Sequence, residues 1–270
     1  MNLVHALGAL RPVGLSELEE RASLLDRSDD KYVVPQWLLP ELLGGLRDTH
    51  DVLSVDGSRE AGYDSVYFDG PRHELHRAHR QGRRLRWKAR TRLYTDSGLC
   101  FRGLKVKGPR GSTVKLRERV PEHLHGRADV GLHRFVDAGL RRSYGHGLEL
   151  DLSAALSVVY TRTTLVSRAG EERLTIDRDL HVARPGAGRG GGLRPDLALL
   201  EVKKVGGRSP IDRQLVRRGQ RPVQLSKYGV GLVLVEEGLQ AGALRPQLRS
   251  FVRHREVPRS APPQVPRLSA

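Results

Sequence analysis

One stretch restricts what this chain can fold into more than any other: Arg84-Leu85-Arg86-Trp87-Lys88-Ala89-Arg90-Thr91-Arg92-Leu93-Tyr94. Every even position from 84 to 92 is cationic, and the odd positions between them carry Leu, Trp, Ala, Thr and Leu. A helix would scatter these cations around its circumference, whereas a strand, whose side chains alternate, collects them on one face. Such a row spaces its cations about 6.6–6.8 Å apart, and each guanidinium can grip a pair of phosphate oxygens. The opposite face is apolar enough to pack under helices.

The alternation recurs. Lys105 and Lys107 alternate with Leu104 and Val106, and Lys115, Arg117 and Arg119 with Val114 and Leu116. Further on come Tyr160 and Arg162, then Arg173, Thr175 and Asp177 alternating with Leu174 and Ile176, and finally Glu201 and Lys203. One strand with a charged face is ordinary solvated surface. Several strands that each give a face to Lys and Arg repel one another unless a polyanion or interspersed carboxylates neutralise them. The expected architecture is therefore α+β: an antiparallel β-barrel forming a tunnel with a charged lumen, its apolar outer side covered by helices. The whole chain, with 47 Lys+Arg against 31 Asp+Glu and a net charge of +16, favours an anionic partner without choosing among nucleic acid, polyphosphate and nucleotide.

The remaining patterns place helices around these strands. Ser16 and Glu19 form a capping box for a helix through Leu25, and Pro35 opens a second containing Trp37, Leu38, Leu42 and Leu43. The period is two from Ser65 to about residue 203, with one helical interruption expected over Glu122–Leu140. Gly186–Gly192 reads as a flexible connection, because it lacks the Lys-Ser/Thr ending of a phosphate-binding P-loop. Ser209-Pro210 begins a helix to Arg218, and Ser226–Val235 closes the fold as helix or strand. One domain over 1–240 and a basic, Pro-rich, disordered tail over 241–270 are expected. A single cysteine, Cys100, excludes an intrachain disulfide and a CxxC metal site. With no signal-peptide pattern and no long apolar run, the expected location is cytoplasmic, and the high Arg, Ala, Gly and Leu usage suggests a GC-rich bacterial genome.

In this order and spacing the pieces resemble the polyphosphate polymerase domain of the vacuolar transporter chaperone (VTC) family, within the CYTH or triphosphate tunnel metalloenzyme superfamily. The pieces are Arg27-x-Asp29-x-Lys31-Tyr32, Ser65-Val-Tyr-Phe-Asp69, the Arg/Lys strand, Lys105-x-Lys107, Tyr160-x-Arg162, Arg173-x-Thr-Ile-Asp177, Leu200-Glu201-Val-Lys203 and Ser226-Lys227-Tyr228. The resemblance implies a nucleoside triphosphate and polyphosphate as partners, bound by Lys31, Lys88, Arg90, Arg92, Lys105, Lys107, Arg162, Arg173, Lys203, Ser226 and Lys227. It implies Glu201 as the carboxylate for Mg²⁺ or Mn²⁺, and Arg90, Arg92, Glu201 and Lys227 as the catalytic set. Two positions depart from the family pattern: Gly103 stands where a Glu is common, and Gln224 where a second Lys often precedes the Ser-Lys pair.

Other candidates have plainer readings. Asp177 and Asp179 can assist a metal or cap a turn, and His73, His76 and His79 read as solvated rather than as a metal cluster. Tyr67 and Phe68 read as core. Three functions stay open: a metal-dependent polyphosphate polymerase-type phosphotransferase, a catalytically weak polyphosphate or triphosphate sensor or a triphosphatase of the same fold, and a nucleic-acid-binding module. Against the last, aromatics make up only 5% of the chain, which leaves few stacking platforms for single strands.

Overall fold

The computed structural model describes residues 2–23, 28–108, 113–186 and 190–254. In chain order it contains α1 (Leu3–Gly8), β1 (Arg11–Val13), α2 (Leu15–Ser23), β2 (Ser28–Pro35), α3 (Leu39–Gly44), β3 (His50–Leu53) and β4 (Ala61–Asp69). There follow α4 (Glu74–Arg80), β5 (Trp87–Tyr94), β6 (Leu99–Lys107), β7 (Thr113–Val120), α5 (Val130–Tyr144), β8 (Ser153–Ser167) and β9 (Glu172–Ala183). The last elements are β10 (Gly190–Leu193), β11 (Leu197–Lys204), α6 (Pro210–Arg217), α7 (Lys227–Val235), α8 (Arg245–Leu248) and β12 (Phe251–His254).

All twelve strands join one sheet. Its main path is antiparallel throughout, in the order β7-β6-β5-β4-β8-β9-β11-β2. The long strands β8 and β9 hold partners along different halves. β3, itself joined in parallel by β1, pairs with the end of β8, and β10 with β12 extends the C-terminal half of β9.

The alternation of each strand decides what covers the two faces. On the outer side Tyr32, Val34, Leu200, Val202, Leu174 and Ile176 pack under α1, α3 and α6, with Leu39, Leu42, Leu43, Ile211 and Leu215 buried against them. A second outer core sets Leu132, Val136 and Leu140 of α5 on Ala89, Leu104 and Val106. Burying each of these α5 side chains is worth roughly 1.5–3 kcal/mol. Asp129 caps α5 by accepting from Leu132 N, and its carboxylate also receives the Arg102 guanidinium, which points outward from β6.

The inner face is filled at one end by α7. Residues 228–235 are all buried, packing with Tyr63, Tyr67, Leu156, Val158, Leu180 and Val182. A bulge in β9 makes this possible. Asp179, at φ 50°, is the extra residue, so that Leu180 and Val182 face the same side as Asp177 despite the change of parity.

Several sequence expectations need correction. The sheet is strongly curved but is not a closed barrel, because among the described residues β2 and β7 share no ladder. Along β2 the Lys31 carbonyl instead accepts from Val223 N, in the segment that leads to α7. Gly190–Gly192 is strand rather than a flexible connection, and residues 187–189 lie outside the described set. Glycine is required there, since a Cβ on Gly191 or Gly192 would sit 2.5 Å from the carbonyl oxygen of Val252 or Leu180. The helix expected over 122–140 starts only at Val130, after a short 3-10 turn at Glu122–Leu124. Beyond 241 the chain forms α8 and pairs β12 with β10, while 255–270 lie outside the described residues. The cationic row enters its strand only at Trp87, leaving Arg84 exposed in the preceding bend.

Candidate functional site

The sheet register brings the cationic rows to one concave face. Lys88, Arg90 and Arg92 of β5 stand opposite Lys105, Gly103 and Phe101 of β6, and Lys105 and Gly103 in turn stand opposite Lys115 and Arg117 of β7. On the other side β5 meets Ser65 and Tyr67 of β4, which leads through Tyr160 and Arg162 of β8 to Asp177 and Arg173 of β9. Glu201 and Lys203 of β11 lie between β9 and β2, where Lys31 is opposite Glu201 and Asp29 opposite Lys203. The curvature closes the distance between strands remote in sheet order: Lys105 of β6 feels Asp29, Glu201 and Lys31, and Lys203 of β11 feels Lys115 of β7. Every sequence-expected phosphate contact in the described strands therefore faces this concavity, Lys107 included by parity.

Several of these cations are held by uncharged partners. Arg90 Nη1 donates to Tyr67 Oη at 3.2 Å, and Arg92 donates to Ser65 Oγ at 3.0 Å and Tyr160 Oη at 2.9 Å. Arg92 and Arg162 both lie over the Tyr63 ring, at 5.0 and 5.1 Å. For Arg90 and Arg92 these contacts orient the guanidinium without spending its charge on a carboxylate. The effect shows on Tyr67: burial would raise its phenol, but Arg90, Arg92 and Lys88 outweigh burial and bring it down to about 8.

Three carboxylates interrupt the cations. Asp177, 1% exposed, receives Arg162 in a bidentate pair at 2.5 and 2.8 Å and also Lys227. Burial would raise Asp177, yet Arg162 and Lys227 hold it below the usual carboxylate range. Asp29 sits 3.3 Å from Lys31, and Glu201 sits 3.1 Å from Lys203. Burial again opposes ionisation of Glu201, but Lys203, Lys31, Lys227 and Arg162 together keep it far below the usual range.

The N-terminus of α7 opens onto this face. Ser226 caps the helix, its Oγ accepting from Gly229 N at 3.2 Å, and the same oxygen accepts from Lys88 Nζ at 3.0 Å. Lys227 in the first turn lies over the Tyr160 ring at 4.8 Å. A capped helix start carrying a lysine beside an arginine row is suited to anions.

A match to the VTC domain model covers residues 26–235. This chain belongs to the VTC domain family. No curated protein matches it. Among solved structures, it is similar to the PH1819 protein from Pyrococcus horikoshii OT3, at 15% identity over 82% of this chain and 99% of that one, with a TM-score of 0.44. It is also similar to a putative adenylyl cyclase from Hippeastrum described as having a dominant triphosphatase activity, at 15% identity, 78% and 98% coverage and a TM-score of 0.45. A putative adenylate cyclase from Bacillus halodurans matches at 13% identity, 76% and 98% coverage and a TM-score of 0.41.

In this VTC domain the donor set limits how a divalent cation can be held. Among the described residues no three His, Cys, Asp or Glu side chains converge, and Asp29 and Asp177 are engaged by cations. Glu201 is engaged as well, 3.1 Å from Lys203, so a divalent ion on this face would have to share a single carboxylate with phosphate oxygens and water, as Mg²⁺-type sites often do. Gly103 leaves room for the carboxylate common there in the family: a Cβ would meet nothing closer than Arg90 at 3.9 Å. No described helix is long and apolar enough to cross a membrane.

Two groups escaped the sequence reading. Asp177 lies on the concave face with Arg173 and Thr175, as their alternation implied, and is a mid-strand residue rather than a turn cap; what the sequence did not show is that Arg162 and Lys227 both engage it. His76 and His79 are not solvated. His76 is 1% exposed, and His79 reaches into the site, with Nε2 3.0 Å from Lys88 Nζ. Their spacing of three on a helix was the available signal. Arg27 lies outside the described residues. Tyr67 and Phe68 are buried as expected, Phe68 toward α5 and Tyr67 toward α7.

Proposed function

We propose that this VTC domain binds the triphosphate of a nucleotide and a polyphosphate chain along its concave face and transfers phosphoryl groups between them. The observation that carries this reading is the convergence of Lys88, Arg90, Arg92, Arg162 and Lys227 on one half-buried surface, most of them oriented by hydroxyls and aromatic rings. A concavity lined by inward cations suits a thin linear polyanion better than a duplex, whose grooves need a projecting element.

Phosphoryl transfer asks a protein mainly for alignment and charge neutralisation. Arg90 and Arg92 grip non-bridging oxygens, and Lys227 at the α7 N-terminus neutralises charge on the group in flight. A terminal oxygen of polyphosphate attacks the γ-phosphorus, the β–γ bridging bond breaks, and the nucleoside diphosphate leaves with the bond electrons. Glu201 would hold a divalent ion, Mg²⁺ or Mn²⁺, which when bound supplies further charge neutralisation at the phosphates. Gly103 and the Glu201–Lys203 contact favour a second reading, in which the face binds phosphate chains with little turnover.

The test is to incubate the protein with ATP and Mn²⁺ or Mg²⁺ and follow polyphosphate chains and released phosphate, with Glu201→Ala as control and tripolyphosphate binding measured for Arg90→Ala. Chains that vanish in Glu201→Ala support the polymerase, phosphate without chains a hydrolase, and binding without turnover the sensor. Equal binding by Arg90→Ala and parent, or no binding by either, sinks the reading and returns attention to nucleic acid.

A further inference from the structure

Three lysines of the concave face are matched by a carboxylate: Lys31 by Asp29, Lys203 by Glu201 and Lys227 by Asp177. Lys88 is held differently. Its Nζ lies 3.0 Å from His79 Nε2 and donates to Ser226 Oγ at 3.0 Å, under the ring of Tyr228 at 5.7 Å. An ammonium has only donors, so His79 Nε2 is the lone-pair nitrogen and the imidazole is neutral. Two of the three Nζ hydrogens are thus directed, and the third is left for a phosphate oxygen.

The helix that carries His79 is fixed for this purpose. Asp69 at the end of β4 accepts from Leu75 N and His76 N at 2.8 and 3.1 Å, anchoring the first turn of α4. The same carboxylate accepts from Tyr228 Oη of α7, and His76 Nε2 lies 3.3 Å from Gly229 O. Asp69 and His76 therefore clamp α4 to α7 and place His79 and Ser226 on two sides of one ammonium.

We propose that His79 is a positioning residue for the phosphate site, holding the Lys88 ammonium at the N-terminus of α7 through a neutral acceptor that leaves its charge for the ligand. A carboxylate at 79 would hold Lys88 equally well but cancel that charge. The inference rests on the phosphate-binding reading of this face. Its pH behaviour follows from the surroundings of Lys88. Burial, together with Lys105 of β6, Lys31 of β2 and Arg90 of β5, lowers it to about 8, with Tyr67 of β4 opposing. His79 is held down to about 3 by burial, Lys88, Arg86, His76 and Lys105, so it stays neutral where the protein works. Lys88 is charged below pH 8 and loses its proton above, so affinity falls as pH rises through about 8.

The experiment is calorimetric binding of tripolyphosphate from pH 6.5 to 10 to the parent, His79→Ala, His79→Gln and His79→Glu, with thermal melts confirming folding. Expected are about tenfold weaker binding at pH 7 for His79→Ala, largely restored by Gln, which offers a neutral acceptor, and not by Glu. In His79→Ala, water reaches Lys88 and the fall in affinity moves above pH 9. Parent binding with His79→Ala unchanged in affinity and pH profile overturns the positioning role while leaving the phosphate-binding reading intact. So does rescue by Glu as good as rescue by Gln. If His79→Ala fails to fold, the Gln and Glu variants decide alone. A parent that does not bind tripolyphosphate at all removes the reading on which both rest.

Discussion

Asp212 shows how a single buried charge stabilises the outer shell, away from the cations of the inner face. It is 0% exposed, accepts from Tyr32 Oη at 2.7 Å and from Ser209 N at 2.9 Å, and pairs with Lys204. Burial opposes its ionisation, but Lys204, Ser209 and Tyr32 hold the carboxyl below its ordinary value. A carboxyl lowered in the folded state contributes stability that is complete above the unfolded pKa of about 3.9 and is lost as pH falls through the folded value. Asp212→Ala should therefore cost about 3 kcal/mol at pH 7, because it strips a partner from the buried Lys204 ammonium. Urea denaturation should show the gap between variant and parent narrowing below pH 4; a constant gap would mean that packing rather than charge sets the loss.

At the level of elements, α7 joins the packing of the fold to its candidate chemistry. Residues 230–235 are apolar apart from Gly231 and entirely buried, and this alone makes the segment a plug rather than a surface helix. Its approach to the sheet is set by Gly231, where a Cβ would meet Leu156 Cδ2 at 2.8 Å and Val182 Cγ1 at 3.0 Å. Gly231→Val should lift α7, cost about 2 kcal/mol by overpacking and weaken tripolyphosphate binding by displacing Ser226 and Lys227. Gly229→Ala, whose Cβ meets nothing nearer than 3.5 Å, should do far less of either. Melts and calorimetry on both variants check this. A loss of stability in Gly231→Val without a loss of affinity would uncouple the helix from the site.

Over the whole molecule the charge imbalance is organised rather than diffuse, with cations of seven of the eight main-path strands on the concave side. Binding of a polyanion there is expected to weaken about tenfold between 0.1 and 1 M salt, as the Debye length shortens from about 10 to about 3 Å. Calorimetry at the two salt concentrations measures it, and a salt-independent affinity would argue against an electrostatic face. Much of this was legible in the chain. A period of two fixes which residues share a face, so Lys88, Arg90 and Arg92 could be assigned to one surface, Leu104 and Val106 to the other, and the family to the order of the pieces. Local rules also placed the start of α6 at Ser209-Pro210, where the structure adds a Ser209–Asp212 capping box. What periodicity cannot supply is which strands curl to face each other, or which side chains from separate helices meet. That Asp177 joins Arg162 and Lys227, that His79 reaches Lys88, and that the edge of β2 takes Val223 rather than β7 depend on contacts between residues far apart in the chain. Such contacts are set by sheet curvature and helix docking, which arise from packing of the assembled core and leave no local pattern in the sequence.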